Sequence, residues 1–577
     1  MSALTVKTND AYTAPSAVFV KASGAYAAAS IFVKYEGSYG TNLVSGFDFF
    51  VDSASGNNSN DGLSAAQAKQ TLSTITLTPN LKIGLARGSV WKEQIGSAAT
   101  NVDGVVIGAY GTGQMPVIDC SEVSTGWSKT AGKTNVYEAV LTIASGSTGQ
   151  FLRLYEDGAP LKWVSSTTLC DAAPGTIYCA TATSATTVTV YVHATGSGDP
   201  ASNGKLYEHT ERLFGICAGV SSVGWEISDI RCKRNLHADG SIVAYNNTIM
   251  RRCIAQDGGK HSLFIGRDGL AEDCIAYGTE YPERTSATLF VAYSTSGTGA
   301  KATFRRCIAI CDKAIGEAAR IAVKGITGLY AHASGGANPW DEIIYEDCSA
   351  IGLPLGFSTL DNTLTTITRC YSESCATGYS PGGLTSVLTD IYNKEASGVT
   401  YVAGMEARLA GQTIEIDGFR QYSYTTTSKG WVYSNLAANI NLHDSVAVIA
   451  GTSYAVGANA SISTVNLTMQ RCIIQGDSTG ALIRKQDTFG IIEDNNYYPS
   501  NAQWNNGATS YSSFALWRAA YPAVDVNSLT SDPLLVNPAS GDFSLQSGSP
   551  AIAIGAGLVR PSISYTPIPS DVAVAAM

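Results

Sequence analysis

Between residues 237 and 342 the sequence gathers side chains that acid–base chemistry needs. Asp257, Lys260 and His261 follow Cys253; Glu280, Glu283 and Arg284 follow Cys274; Asp312, Lys313 and Glu317 follow Cys307, with Arg320 and Lys324 further on. Three of the six histidines (His237, His261, His332) fall in this stretch, and residues 251–345 hold 11 Lys/Arg against 10 Asp/Glu. Two carboxylates about 5.5 Å apart suit retaining cleavage of a glycosidic bond, and about 6.5–9.5 Å suits inversion. A base set beside cations would instead suit proton abstraction next to a uronate carboxylate, with the cations neutralising it. The candidates for catalysis are Asp257, Lys260, His261, Glu280, Glu283 and Asp312. Candidates for holding a substrate are Arg284, Lys313, Arg320, Lys324 and His332, together with Trp340, Tyr281 and Tyr330, whose rings could stack on sugar faces. For any one of these charges the competing reading is a solvated turn, since exposed turns commonly carry charge.

What would position these residues is a cysteine ladder. "IRCKR", "RRCIA", "EDCIA", "RRCIA", "EDCSA", "TRCYS" and "QRCII" place Cys232, Cys253, Cys274, Cys307, Cys348, Cys370 and Cys472 at intervals of 21, 21, 33, 41, 22 and 102. The shortest interval matches one coil of a parallel β-helix, and the longer ones read as coils with loop insertions. Neighbours in a strand face opposite ways. A buried Cys therefore leaves its Arg, Glu or Asp neighbours in water and turns the following Ala or Ser inward. With coils stacked about 4.8 Å apart, turns four to ten residues past each Cys project from one side, which brings the candidates together. The thiols are expected to be structural and reduced. No CxxC pair exists to suggest zinc, and no metal or other cofactor is expected.

Composition bounds the rest. The chain has 577 residues, 15% charged, with 58 Gly and 29 Tyr and a net charge of −10. That mixture favours short strands and polar turns, and the acidic balance argues against nucleic-acid binding. No apolar run approaches the roughly 20 residues of a membrane span, and no secretory signal is readable at the start. Residues 1–43 repeat as "TVKTNDAY", "FVKASGAY" and "FVKYEGSY", units too small to bury a core alone, and read as an attachment module. Residues 44–139 read as a cap and the first coils, with Ser64 and Gln67 as a capping box opening a short helix. Residues 140–212 read as an inserted antiparallel β subdomain, 213–500 as the main body, and 501–577 as a turn-rich cap for the far end. The expected class is all-β: a right-handed parallel β-helix with a small N-terminal β repeat and that insertion.

"FFVDSASGNNSNDGLSAAQAKQTL", "RGSVWKEQI", "IGAYGTGQMPVID" and "DPLLVNPASGDFSLQSGSPAI" resemble signatures of the right-handed parallel β-helix, pectate-lyase-like superfamily. With the "FVKxxGxY" repeat the chain resembles a bacteriophage tailspike or tail fibre. That resemblance implies a homotrimer in the virion tail, assembled in the host cytoplasm and joined through its N-terminus to other tail or baseplate proteins. It implies binding, and depolymerisation by hydrolase or lyase chemistry, of a host surface polysaccharide; the alternatives are a non-catalytic adhesin or a structural tail protein. No catalytic motif transfers from the family position by position, because the fold hosts many chemistries.

Overall fold

The computed structural model describes residues 46–144, 152–179, 186–236, 239–278, 287–294, 300–311, 326–333, 340–360, 362–395, 403–423, 430–434, 436–449, 455–458, 465–476, 483–484, 491–505 and 509–557, and the backbone of Val6–Thr8 and Ala11–Thr13. In that leading pair Lys7 sits opposite Tyr12 in an antiparallel register. The rest of the N-terminal repeat lies outside the described residues.

Each coil of the body contributes one strand to each of three sheets, named A, B and C in chain order. One coil runs through Ile242–Ala244 (A), Ile249–Arg251 (B) and Ile254–Gln256 (C). The next runs through His261–Ile265, Gly269–Glu272 and Ile275–Gly278. Registers are parallel and in phase, with Ile242 beside Leu263, Ile249 beside Leu270 and Ile254 beside Ile275. Each sheet holds 14 described strands, all parallel except the last pairing of sheet A. The chain is a right-handed parallel β-helix. Among the described residues no helix is long and apolar enough to cross a membrane.

The interior is built of columns. Met250, Ala271, Phe304 and Tyr345 stack along sheet B, and Ala255, Ala276, Ala309 and Ala350 along sheet C, all fully buried. All thirteen cysteines are buried and free. The ladder cysteines from Cys253 onward differ from expectation in one respect: they sit in the two-residue turn between sheets B and C and not in a strand, whereas Cys232 lies in the sheet C strand Arg231–Lys233 beside Ala255, and Ile230 takes the turn position on its coil. The thiols in the turn donate to carbonyls of the preceding coil, Cys253 to Ile227 at 3.4 Å, Cys307 to Ala271 at 3.3 Å and Cys348 to Phe304 at 3.3 Å. A small apolar side chain with a weak donor fits a buried corner where carbonyls would otherwise lack partners.

The residue that enters this turn takes the left-handed conformation, whether Cys or, on other coils, Ile230, Ile391 or Ser445 follows it. Asp229, Arg252, Asp273, Arg306, Asp347, Arg369, Asp390, Asp444 and Arg471 have φ between 48° and 60°. Each arginine reaches back one coil to grip an aspartate with two bonds: Arg252 on Asp229, Arg306 on Asp273, Arg369 on Asp347 and Arg471 on Asp444, at 2.6–2.9 Å. The doublets "RR" and "ED" alternate because adjacent coils must present opposite charge.

Both ends are closed, though not as the sequence suggests. At the start Ser64 makes no side-chain cap, and Ala65–Gln67 is a single 3-10 turn. The helix cannot lengthen because Lys69 exchanges backbone bonds with the edge strand, donating to Phe50 and accepting from Asp52. Leu72 is buried against the core there, with Ile75 and Leu77 packed on it. At the far end the helix Phe514–Ala520 lays Trp517 on Trp504, ring centroids 6.1 Å apart. Beyond it the chain does not stay on the end. The hairpin Leu535–Asn537/Asp542–Leu545 lies along the outer face of sheet C, where Phe543 meets Tyr392 edge to face at 5.5 Å. Outward Tyr371, Tyr392 and Ile473 supply an apolar face for it to cover.

The antiparallel strands of the insertion span Ser121–Val123 to Tyr207–Thr210, starting earlier than residue 140. They interrupt one coil between its C strand, Val117–Asp119, and the next A strand, Ile216–Cys217. The insertion has its own core around Leu141, Leu154, Ile177 and Val190.

Candidate functional site

The three clusters of candidates that follow Cys253, Cys274 and Cys307 fall in one class of connection, between a C strand and the next A strand. Asp257, Lys260 and His261 lie between Ile254–Gln256 and the start of His261–Ile265. Glu280, Tyr281, Glu283 and Arg284 fall between Gly278 and Ala287, and Asp312, Lys313, Arg320 and Lys324 between Cys311 and Ile326; all eight lie outside the described residues. The strands bounding these segments are stacked, since Ile254–Gln256, Ile275–Gly278 and Ile308–Cys311 pair in series.

The insertion grips the first of these turns. Arg153, 6% exposed, donates through Nη2 to the carbonyls of Gly258 at 2.5 Å and Gly259 at 3.2 Å. The Gly259 N–H donates to Asn235 Oδ1 at 2.9 Å. A Cβ on Gly258 would stand 2.2 Å from the His261 carbonyl, so only glycine fits. Asp257 has φ +50° and is 2% exposed, and Gln256 Nε2 donates to its carboxylate at 3.0 Å. Its charge helps to hold the buried Tyr155 phenol well above the ordinary range, after burial itself, which is the larger cause. His261 is 8% exposed and opens its strand opposite Thr288, while the Lys260 carbonyl accepts from Thr288 N. Asp257 and His261 are thus packed into the junction, and Lys260 is half-buried.

Aromatic rings line the outer face of sheet A next to these turns. Tyr245 and Phe264 are 5.0 Å apart, Phe264 and Tyr293 6.1 Å, and Tyr293 and His332 4.6 Å. Tyr330 stacks on His332 at 4.8 Å with planes 18° apart, and the Arg408 guanidinium stands 5.9 Å from the Tyr330 ring. The outward column Phe264, Val291, Tyr330, Ser358, Ser380 follows from the parallel registers. Small Ser358 and Ser380 lie buried as a floor between Tyr330 and Glu406, which follows in the same column. The Tyr245 hydroxyl donates to Asp239 at 3.2 Å.

Tyr330 and His332 from the sequence candidates therefore join this strip. Trp340 does not: it is fully buried, and its indole N–H donates to the His332 carbonyl at 3.1 Å, so it supports the strip from inside. Sequence reasoning missed Tyr245, Phe264 and Arg408. The period-two alternation in "SIVAY" and "SLFIG" carries the signal for the first two, and Arg408 carried none. It also missed a groove of about 280 Å³ on the outer face of sheet B, lined by Glu415, Asp417, His443, Gln470 and Arg471 among others. There Gly418 stands beside Asp390 in the ladder, and Arg420 answers Asp390 from two residues further on, at 3.7 Å. Among the described residues no three His, Cys, Asp or Glu gather as metal ligands.

A row of half-buried rings can hold extended rings by stacking. No family model and no curated protein matches the chain. Among solved structures it overlaps XylC, described in complex with xylose, with a TM-score of 0.52 at 10% identity over 85% of this chain and 87% of that one. Weaker overlaps include the GH136 lacto-N-biosidase from Eubacterium ramulus (TM-score 0.37, 11% identity, 77% of this chain and 65% of that one). Another is the tailspike gp49 of Pseudomonas phage LKA1 (TM-score 0.23, 11% identity, 75% and 72%). At these identities the likeness to XylC is one of fold.

Proposed function

We propose that the chain binds a polysaccharide along the outer face of sheet A, with the C–A turns as the wall, and depolymerises it as a glycoside hydrolase or polysaccharide lyase. The observation that carries the reading is the strip of half-buried Tyr245, Tyr293, His332 and Tyr330, packed on the buried Phe264, next to the turn that holds Asp257, Lys260 and His261; Glu280, Glu283 and Asp312 belong to the next two C–A connections in the sequence. Flat sugar faces stack on such rings, and the saccharide in the XylC structure supports the ligand class. In this reading the protein is a homotrimeric virion tailspike that meets a host surface polysaccharide, with residues 1–43 as its attachment to other tail proteins.

The test is incubation with host surface polysaccharide, reading both reducing ends and the absorbance of an unsaturated uronate. Both signals identify a lyase, and reducing ends alone a hydrolase. Neither signal, with binding retained, identifies an adhesin and removes the catalytic half of the proposal. Tyr330→Ala should weaken binding about 10-fold, in line with one lost stacking contact of roughly 1–1.5 kcal/mol; unchanged binding would move the site off sheet A. Deleting residues 1–43 should leave a soluble trimer that still binds, and a monomeric product would count against the attachment role.

A further inference from the structure

The insertion carries a second constellation that the glycan strip does not use. His193 ends the strand Thr187–His193 and is 2% exposed. Its Nδ1 lies 2.9 Å from the backbone carbonyl of Cys170, and its Nε2 lies 2.9 Å from Ser197 Oγ. A carbonyl oxygen can only accept, so Nδ1 must carry the ring proton. In the neutral imidazole Nε2 is then a bare acceptor aimed at the Ser197 hydroxyl. These are the roles of an activated nucleophile: a hydroxyl, a base within reach, and a third group that fixes the base's tautomer.

The serine is placed as a nucleophile would be. It is exposed, on the tight turn "HATGSGD", with φ +56°, a left-handed conformation that a serine seldom adopts. Strain of this kind persists where the surroundings over-determine it. They do so here. Ser197 N donates to the Ala194 carbonyl at 2.9 Å, and Thr195 N donates to Glu156 Oε2 at 3.0 Å. Glu156 is itself 4% exposed and accepts from the Tyr207 hydroxyl at 3.0 Å. Gly196 and Gly198 flank the serine. Asn203 packs beside Gly198 and donates one amide hydrogen to the Tyr207 oxygen at 2.8 Å.

We propose that Ser197 and His193 form an acyl-transfer site that hydrolyses small acyl esters, of the O-acetyl type, on saccharide hydroxyls. The serine proton passes to His193 Nε2 as Oγ bonds to the ester carbonyl carbon. The tetrahedral adduct collapses, the bond to the sugar oxygen breaks, and that oxygen takes the proton from Nε2. Water, giving its proton to Nε2, then attacks the acyl-serine, releasing acetate and restoring the serine. An exposed serine on an open turn suits a small acyl group displayed on a large polymer. Only the identity of that polymer rests on the polysaccharide reading above.

The full chain is treated with a fluorophosphonate probe and, separately, with p-nitrophenyl acetate. The expected result is labelling mapped to Ser197, and ester hydrolysis that falls about 10²-fold or more in Ser197→Gly, the size general-base and nucleophile losses take. Glycine accepts φ +56°, so the variant should melt as the parent does. Absence of labelling in the parent, or a rate unchanged in Ser197→Gly, would overturn the site. Acetate release from an O-acetylated polysaccharide is expected as well. No release while the model ester is still cleaved would overturn the saccharide substrate and leave the acyl-transfer chemistry standing.

Discussion

Each ladder residue answers to two neighbours, one inside and one outside. Burial holds the Cys253, Cys307 and Cys370 thiols well above the ordinary range, so native protein should resist alkylation until it unfolds. Cys307→Arg should cost several kcal/mol through a buried, unpaired charge, and Cys307→Val about 1 kcal/mol; calorimetry separates the two. Outside, the arginine–aspartate grips are a third to two-fifths exposed on the arginine side, so each contributes roughly 1 kcal/mol or less. Hydrogen bonds from Arg305, against desolvation and with help from Arg369, hold the Glu346 carboxyl below its usual value of 4.5. A depressed carboxyl pKa means the stability is present above about pH 4.5 and is lost as pH falls through the folded value. The melting temperature should therefore fall on acidification below about pH 4, and Glu346→Gln should flatten part of that slope. A slope identical in the variant would take Glu346 out of the ladder's energetics.

The same residues explain which elements were legible. The 21-residue interval of Cys253 and Cys274 equals one coil, and inward Ala255 and Ala276 follow from strand alternation, whereas the equal interval from Cys232 to Cys253 is a coincidence, since Cys232 stacks on Ala255. The turn between sheets B and C was not legible, because arginine and aspartate at φ near +50° break the glycine preference of that conformation. Cross-coil charge pairs hold what local propensity would refuse. The alternation of "RR" with "ED" also specifies register, since a slip of one coil would set arginine on arginine. The strip on sheet A was half legible. Tyr330 and His332 stood out as aromatic and titratable residues in a long coil, whereas Phe264 read as one more apolar strand residue. Trp340 misled because indole exposure cannot be read from sequence. The final hairpin was mistaken for part of an end cap because its partners, Tyr371 and Tyr392, lie far back along the chain. Phe543→Ala should remove the ring that pins it and cost about 3 kcal/mol. Limited proteolysis should then cut between residues 533 and 557 first; protection equal to the parent's would mean the hairpin is held elsewhere.

At the scale of the whole molecule, the insertion is a second folded unit set into one coil, and an ionic joint decides whether it moves with the body. Lys92 and Arg234 from the body hold Glu208 of the insertion at 2.7 and 2.6 Å, while Lys233 holds Asp119 at 3.0 Å. Arg234 also lies over the Tyr155 ring at 4.2 Å, and Arg153 crosses the other way to the Gly258 turn. Glu208, Asp119 and Arg234 are each less than a tenth exposed, so the charges have left water and depend on one another. Replacing one partner of such a set leaves the others uncompensated and typically costs about 3–5 kcal/mol, whereas replacing both by apolar groups of similar volume can be near neutral. Arg234→Met should therefore lower the insertion's melting transition strongly. It should also speed amide exchange in Gly258–Ser262, because the turn loses its anchored neighbour. Arg234→Met combined with Glu208→Leu should recover much of the loss. If the double variant is as unstable as the sum of its single changes, the joint is held by packing around Tyr155 and not by charge. In that case the turn carrying Lys260 and His261 should keep its slow exchange in both variants.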